Sequence, residues 1–223
     1  FANVVTYNAF IDAAGKNGEF REAKVAFEEA KRNRFADVVT YTSFINAAGK
    51  NGEFREAKDA FEEAKSNRLA DVVTYTSFID AAGKNGEFRE AKVAFEDAKR
   101  NSFANVVTYN AFIDAAGKNG EFREAKVAFE EAKRNSFANV VTYTSFIDAA
   151  GKNGEFREAK VAFEDAKRNS FANVVTYNAF IDAAGKNGEF REAKVAFEEA
   201  KRNSFANVVT YNAFIDFFSG IFI

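Results

Sequence analysis

The sequence predicts an all-α fold, an α-solenoid in which helix-turn-helix hairpins stack as a superhelical repeat array. Three observations predict it: a motif that recurs every 34 residues, two helical apolar patterns within each copy, and a glycine between them. Periods of about 20 to 50 residues are typical of arrays whose units bury their apolar faces against their neighbours. We expect a right-handed solenoid with one surface lined by the first helix of every hairpin.

The repeat period sets the organisation of the chain. The tetrapeptide Val-Val-Thr-Tyr begins at Val4, Val38, Val72, Val106, Val140, Val174 and Val208. The sequence therefore predicts one array over residues 1–223, in which full repeats occupy 4–37, 38–71, 72–105, 106–139, 140–173 and 174–207 and a partial repeat with the carboxyl end occupies 208–223. No linker or low-complexity tract interrupts the array.

The first helix of each hairpin is predicted from its apolar spacing, here in the fourth repeat. Over about residues 107–118, apolar side chains recur at steps of three and four, the spacing of a buried helical face. They are Tyr109, Phe112, Ile113 and Ala116. Asn105 lies just before this segment, where asparagine and aspartate are favoured as N-caps. The helix is therefore expected to begin directly after Asn105.

The turn and the second helix follow from the next residues of the same repeat. Gly120, in Lys-Asn-Gly, supplies a left-handed position that ends the first helix. The second helix is predicted over about residues 121–135, with its apolar face spaced three, four and three residues apart. That face consists of Phe122, Ala125, Phe129 and Ala132.

The composition excludes several function classes. The 223 residues contain no His, Cys, Met, Pro or Trp, and 31 Lys and Arg against 33 Asp and Glu give a net charge of −2. Without His or Cys there is no Ser-His-Asp triad, thiolate nucleophile, zinc site of the usual ligands or disulfide. We expect no enzymatic activity, no cofactor and no metal. No apolar stretch approaches the roughly 18 residues of a membrane span, so we expect no membrane partner.

The repeat also resembles a known family. Residues 106–133, Val-Val-Thr-Tyr-Asn-Ala-Phe-Ile-Asp-Ala-Ala-Gly-Lys-Asn-Gly-Glu-Phe-Arg-Glu-Ala-Lys-Val-Ala-Phe-Glu-Glu-Ala-Lys, resemble a pentatricopeptide repeat nearly position for position, and the resemblance extends to Asp216. The related tetratricopeptide repeat would carry Trp-x-x-Leu-Gly and a Pro, which are absent. The loop at 134–139 is one residue shorter than is usual in the family. Copies this alike are also compatible with a consensus-designed array.

The resemblance implies binding of single-stranded RNA, with one base read per repeat by the fifth and last residues. The implied pairs are Asn8 with Asp37, Thr42 with Asp71, Thr76 with Asn105, Asn110 with Asn139, Thr144 with Asn173, and Asn178 with Asn207. In the family the fifth and last residues Asn-Asp favour U, Thr-Asp favour G, Thr-Asn favour A, and Asn-Asn favour a pyrimidine, C more than U. The implied target is 5′-U-G-A-Y-A-Y-3′, where Y is a pyrimidine. Alternatively, the last residues serve only as helix caps.

Two further sets of residues match the binding surface of the family. The resemblance implies that the second residue of each repeat packs on base faces: Val5, Val39, Val73, Val107, Val141, Val175 and Val209. It also implies phosphate contacts by Lys16, Lys50, Lys84, Lys118, Lys152 and Lys186. Alternatively, these lysines only interact favourably with the negative, carboxyl-terminal end of the helix dipole. Acids four residues earlier are expected to pair with them: Asp12, Asp80, Asp114, Asp148 and Asp182, with Asn46 as the exception.

The carboxyl end departs from the repeat. After Asp216 the chain reads Phe217 to Ile223, an apolar segment that is expected to cover the last core or, alternatively, to mediate self-association. Two other functions stay open: a peptide- or protein-binding tetratricopeptide-like scaffold, and a structural repeat that assembles end to end. The family resemblance suggests an organellar location, although no targeting segment is visible.

Overall fold

A computed structural model of the chain describes residues 3–219, with side chains described for residues 3–215. Within this range the chain forms thirteen α-helices and no strand. They are α1 (Val4–Lys16), α2 (Phe20–Arg32), α3 (Val38–Lys50), α4 (Phe54–Ser66), α5 (Val72–Lys84), α6 (Phe88–Arg100), α7 (Val106–Lys118), α8 (Phe122–Arg134), α9 (Val140–Lys152), α10 (Phe156–Arg168), α11 (Val174–Lys186), α12 (Phe190–Arg202) and α13 (Val208–Ser219). The predicted all-α fold is confirmed, and the predicted helix bounds are correct to within one residue.

Each repeat contributes an odd-numbered helix, called helix A below, and an even-numbered helix, called helix B. The chain divides into two compact units, Phe1–Ala115 and Ala116–Ile223. In the first unit α1, α3 and α5 pack successively against one another, and each also packs on the helix B that follows it. In the second unit α9, α11 and α13 pack in the same way, with α10 and α12 as their B helices. The predicted stacking of hairpins is confirmed within each unit.

Helix A begins at a capping box. The N–H of Thr40 donates to Asp37 Oδ1 at 2.9 Å, and the N–H of Asp37 donates back to Thr40 Oγ1 at 3.0 Å. This reciprocal pair satisfies two backbone groups that a helix start would otherwise leave unbonded. Asn105 caps α7 as predicted, because its Oδ1 accepts the N–H of Val107 at 2.9 Å. The last residue of one repeat thus fixes where the next helix A begins.

The two turns of a repeat both use left-handed residues, but only one of them is a glycine. Gly120 has φ of 78°, as predicted for the end of α7. Ser136, after α8, has φ of 58°, and Arg34 occupies the same position after α2 with φ of 60°. A side chain in this conformation costs roughly 1–2 kcal/mol. This second left-handed turn was not predicted, because serine and arginine are not residues that mark a left-handed position.

The core is the apolar face that the spacing predicts. All four predicted residues of α7 and three of the four in α8 are buried, and Phe122 is half-buried. The rings of Phe95 in α6 and Phe112 in α7 stack with centroids 4.2 Å apart. Offset or stacked aromatic contacts of this kind add to the free energy of burial. One such ring pair joins each helix B to the following helix A.

Neighbouring A helices approach closely because a glycine faces an alanine. A Cβ placed on Gly49 in α3 would overlap the Cβ of Ala81 in α5 and lie 2.9 Å from its Cα. The same relation holds for Gly15 with Ala47 and, in the second unit, for Gly151 with Ala183. The glycines at the carboxyl end of helix A therefore set the spacing between successive first helices.

The carboxyl end is described only in part. Helix α13 continues to Ser219. The expectations for Phe217 to Ile223, core covering or self-association, concern side chains beyond residue 215 and lie outside the described residues. Between residues 3 and 219, no helix is long and apolar enough to cross a membrane, and no group of three or more acidic side chains could hold a metal ion.

Candidate nucleic-acid interface

The first predicted base-reading pair comes together in the structure. Asn8 lies in the second turn of α1, and Asp37, 29 residues later, caps α3. The Nδ2 of Asn8 donates to Asp37 Oδ1 at 3.3 Å. The two side chains that the family resemblance pairs therefore share one polar cluster at the start of two adjacent A helices.

A buried threonine joins the two members of this pair. Thr40 is fully buried, and its Oγ1 lies 2.6 Å from Asn8 Oδ1 and 2.9 Å from Asp37 Oδ1. The sixth pair is joined in the same way by Thr210 of the partial repeat, which donates to Asn178 Oδ1 at 2.6 Å and lies 3.1 Å from Asn207 Oδ1. Sequence reasoning missed these threonines, although the third residue of Val-Val-Thr-Tyr is the same in all seven copies.

In repeats with threonine at the fifth position, the buried threonine of the next helix A again lies between the two paired side chains, but the hydrogen bonds differ. The hydroxyl of Thr42 donates to the carbonyl oxygen of Val38 at 2.8 Å, within its own helix. Its Oγ1 also lies 3.3 Å from that of Thr74, which in turn is 3.0 Å from Asp71 Oδ1. The corresponding Oγ1 distances are 3.1 Å between Thr76 and Thr108 and 3.4 Å between Thr144 and Thr176.

Five of the six predicted pairs lie within one unit, and each is bridged in one of these two ways. Asn110 and Asn139 belong to different units, so their pairing stays a prediction. The Oδ1 of Asn110 is buried and makes no hydrogen bond among the described residues.

The cap residues retain an unused polar atom. Asp71 caps α5 through Oδ1 alone, which accepts the N–H groups of Val73 and Thr74 at 2.9 Å. Asn173 likewise caps α11 through Oδ1. Within residues 3–215, the Oδ2 of Asp71 and the Nδ2 of Asn173 have no hydrogen-bond partner. Capping and ligand recognition are therefore compatible, because they use different atoms of one side chain.

Asp37 is ionised at neutral pH. Partial burial raises the pKa of its carboxyl group, but hydrogen bonds from Thr40 and Asn8 favour the charged form and bring the pKa below its usual range. The cluster therefore contains a fixed acceptor that carries a negative charge.

The predicted base-packing valines are exposed at the start of helix A. Their exposed fractions range from 50% for Val39 to 69% for Val5. Each valine lies two residues after a cap and three residues before the fifth-position side chain. The start of every helix A therefore carries an uncovered apolar side chain.

The predicted lysines lie at the carboxyl ends of the A helices. The Nζ of Lys16 is 2.6 Å from Asp12 Oδ2, and Lys84, Lys152 and Lys186 pair in the same way with the acid four residues earlier. These ion pairs are confirmed as predicted. Lys50, whose helix has Asn46 at that position, is exposed and makes no ion pair or hydrogen bond within the described part of the chain.

Three of these lysines line one groove in the first unit. A cavity of about 210 Å³ lies between the ends of α1, α3 and α5. Lys16, Lys50 and Lys84 line it, together with Asp12 and Asp80. At about 100° per residue, Asn8 and Lys16 lie within roughly 80° of each other around α1. The polar pair and the lysine therefore share one side of helix A.

Comparison with known families identifies the repeat. The profile described as PPR repeat matches residues 5–35, 39–69, 73–103 and 107–137, which together exceed half of the chain. The chain belongs to the pentatricopeptide repeat family. Two related profiles match further: pentatricopeptide repeat domain over residues 127–187 and PPR repeat family over residues 172–219.

Solved structures of similar fold include pentatricopeptide and tetratricopeptide repeat proteins. The crystal structure of PPR10 from maize superposes with a TM-score of 0.70 at 28% identity, covering 96% of this chain and 32% of that one. The crystal structure of PPR10 in complex with an 18-nt psaJ RNA element superposes with a TM-score of 0.70 at 19% identity, covering 98% of this chain and 38% of that one. A tetratricopeptide repeat protein from Parabacteroides merdae superposes with a TM-score of 0.58 at 14% identity, covering 97% of this chain and 86% of that one.

The chain thus spans about a third of the length of the maize protein. Comparison with curated proteins gives no match.

The B helices of these pentatricopeptide repeats carry a charge network that sequence reasoning missed. The Nζ of Lys24 is 2.5 Å from Glu56 Oε1 in the next helix B, and Lys126 is 2.8 Å from Glu158. The partners are 32 residues apart, and that spacing is the signal that could have indicated them. Hydrogen bonding to Glu56 raises the pKa of Lys24. Many lysines of helix B therefore form ion pairs with glutamates of the next helix B.

The tyrosines of the second to sixth pentatricopeptide repeats pack in the core, as expected, whereas Tyr7 is half-buried and Tyr211 is exposed. Tyr41 is 2% exposed, and its hydroxyl donates to Glu63 at 2.8 Å. Burial, together with the Glu63 carboxylate, raises the pKa of Tyr41 to about 12. Buried aromatic rings of this kind are not available to stack on a ligand.

Proposed function

We propose that this pentatricopeptide repeat chain binds single-stranded RNA and reads one base per repeat, with 5′-U-G-A-Y-A-Y-3′ as its target. One observation carries the proposal: the fifth and last side chains of a repeat form a bridged pair that retains unused hydrogen-bonding atoms. The likeness to PPR10, whose structure with RNA has the same fold, supports the class of ligand. RNA readers of this kind use two or three side chains per base.

The Thr-Asp pair supports recognition of guanine. Thr42 gives its only proton to the carbonyl oxygen of Val38, so its Oγ1 can offer only a lone pair. The free Oδ2 of Asp71 is also an acceptor. Two acceptors side by side match the N1–H and N2 amino donors of guanine.

The Thr-Asn pair supports recognition of adenine. Thr76 donates to the carbonyl oxygen of Val72 at 2.7 Å and is again an acceptor, whereas the Nδ2 of Asn105 is a donor. Adenine presents the complement, an N6 amino donor beside the N1 acceptor. The fifth repeat, with Thr144 and Asn173, has the same pair.

The repeats with asparagine at the fifth position support recognition of pyrimidines. The Oδ1 of Asn8 is occupied by Thr40, which leaves Nδ2 as the outward donor, and Asp37 supplies an acceptor. A donor beside an acceptor matches a carbonyl oxygen and the N3–H of uracil. Two amide donors in an Asn-Asn repeat match N3 and O2 of cytosine. Asparagine is also longer than threonine and leaves less room for a purine.

The valines and lysines complete the proposed site. The exposed valines would pack on base faces, contributing less than the roughly 1–3 kcal/mol per base of aromatic stacking. The lysines would contact phosphates. Six such contacts predict a salt dependence of log K on log salt with a slope of about −4. The Asp partners of the lysines compete with phosphate, so we expect a shallower slope.

The experiment is a titration of labelled UGACAC RNA against a scrambled strand and a DNA version. We expect the coded RNA to bind most tightly at moderate salt. Thr76→Asn should shift the preference at the third base from A to a pyrimidine, because it replaces an acceptor by a donor. Glu131→Asp is the matched control, since the third and fifth repeats already carry Asp at this helix B position.

Two outcomes would contradict the proposal. Equal affinity for coded and scrambled RNA would favour a scaffold for peptides or a structural repeat. An unchanged third-base preference in Thr76→Asn would mean that the fifth and last residues serve only the helix caps.

A further inference from the structure

We infer that the buried threonine at the third position of a repeat is a positioning residue for base recognition by the preceding repeat. The fifth-position side chain of that preceding repeat is called the reader below. The buried threonine orients an asparagine reader, whereas a threonine reader keeps its orientation without it. The inference rests on the proposed function and adds a third residue to each reading pair. No base contact is assigned to this threonine, because it acts through its neighbours.

Burial and hydrogen bonding both point to this role. The threonines are fully buried, which requires their hydroxyl groups to find partners inside the protein. They are Thr40, Thr74, Thr108, Thr142, Thr176 and Thr210. Thr40 lies within hydrogen-bond distance of both members of the first pair, at 2.6 Å from Asn8 and 2.9 Å from Asp37.

An asparagine reader depends on this contact for its orientation. Its amide has an acceptor end and a donor end, and rotation about χ2 exchanges them. The Thr40 hydroxyl holds Asn8 Oδ1 inward, and Asp37 Oδ1 accepts from Nδ2 at 3.3 Å. Without the hydroxyl, Asn8 Oδ1 would lose its donor and the amide would lose one of its two constraints. The amide of Asn8 could then turn over and present either Oδ1, an acceptor, or Nδ2, a donor, to the base.

A threonine reader is oriented by its own helix. Thr42 donates to Val38 at 2.8 Å, so the direction of its lone pairs is set inside α3. The following threonine, Thr74, lies farther away, at 3.3 Å from Thr42 Oγ1. Removal of its hydroxyl leaves the bond to Val38 intact. The same substitution should therefore affect the two kinds of repeat differently.

Thr40→Val and Thr74→Val form a matched pair of variants. Both threonines are fully buried, both follow an aspartate cap, and both lie in the first unit, so each variant loses the same capping-box hydroxyl. Valine keeps the shape of the side chain and removes the hydroxyl. Far-UV circular dichroism at the titration temperature checks that both variants are folded.

The readout is base preference rather than stability. Each full-length variant is titrated with RNAs that differ only at the first base and with RNAs that differ only at the second. We expect Thr40→Val to reduce the preference for U at the first base roughly fivefold, the value of one net hydrogen bond. Thr74→Val should keep its preference for G at the second base, and Thr40→Ser should restore the preference for U.

Equal losses of preference in the two valine variants, or an unchanged preference for U in Thr40→Val, would overturn the inference and leave the threonine as a helix cap. The unmodified chain separates this failure from that of the proposed function. If it shows no base preference at either position, the proposed function itself is wrong, and the inference falls with it.

Discussion

At the scale of single residues, one side chain at the end of each repeat serves two purposes. Asp71 caps α5 through Oδ1 and leaves Oδ2 uncommitted. An alanine substitution there would remove both roles and could not separate them. Exchange between aspartate and asparagine keeps the capping oxygen and changes only the free atom from acceptor to donor. The chain itself makes this exchange between its second and third repeats.

The free lysine of the second repeat leads to a prediction at the same scale. Lys50 lacks the carboxylate that pairs with Lys16 and Lys84 in the groove. Asn46→Asp would supply it, so one phosphate contact should weaken. We expect lower RNA affinity and a salt slope smaller by about 0.7, the contribution of one contact on a single strand. Titrations over a range of KCl concentrations measure both quantities.

Val25→Asp is the control for the added charge. Val25 is exposed on helix B, and the second repeat already carries Asp59 at the equivalent position. It should change the salt slope much less than Asn46→Asp does. If the two variants have the same slope, the effect is one of net charge, and Lys50 is not a distinct contact.

At the scale of the elements, the glycine in helix A decides how closely neighbouring helices pack. Helix propensity alone predicts that Gly49→Ala stabilises α3 by up to about 1 kcal/mol. The backbone of Ala81 lies too close for a new Cβ, so we expect a net loss of about 1–3 kcal/mol. Urea denaturation followed by circular dichroism measures the free energy of unfolding.

The double variant Gly49→Ala with Ala81→Gly tests whether this contact is the cause. It removes the Cβ that the new one would overlap, so part of the lost stability should return. A Gly49→Ala variant as stable as the unmodified chain would show that the A helices can separate without cost, contrary to the packing described.

The elements also show how far the sequence predicts the structure. The helices, their caps and the buried faces of α7 and α8 were predicted because they depend on residues close in sequence. The left-handed Ser136 was not, since no glycine marks it. The bridge from Thr40 to Asn8 and the pairing of Lys24 with Glu56 were also missed. Both join residues 32 positions apart and emerge only when successive repeats are packed together.

At the scale of the whole molecule, the net charge of −2 says less about RNA binding than its distribution does. Several helix B lysines pair with acids of the next repeat. Four of the lysines proposed to contact phosphates pair with an acid of their own helix A: Lys16, Lys84, Lys152 and Lys186. Because neighbouring acids neutralise these lysines, the lysines add little to a long-range attraction for RNA. The proposed selectivity has to come from the polar pairs, with electrostatic affinity as the smaller part.

Several buried tyrosines and the half-buried Lys31 predict a shared response of stability to alkaline pH. Burial and a neighbouring glutamate raise the pKa of Tyr41 and of Tyr177 to about 12. Burial lowers the pKa of Lys31, but its ion pairs with Glu63 and Glu28 outweigh this and raise it. A group whose pKa is raised by folding stabilises the protein below its unfolded pKa, about 10 for tyrosine, and loses that contribution as pH rises.

We therefore expect the free energy of unfolding to fall steadily between pH 10 and about 12. Urea midpoints measured across this range, together with the ultraviolet absorbance of tyrosinate, check the prediction. Tyr41→Phe should remove part of the pH dependence, because phenylalanine keeps the ring packing and has no proton to lose. A stability that stays constant up to pH 12 would mean that the tyrosine hydroxyls are not held neutral by the fold.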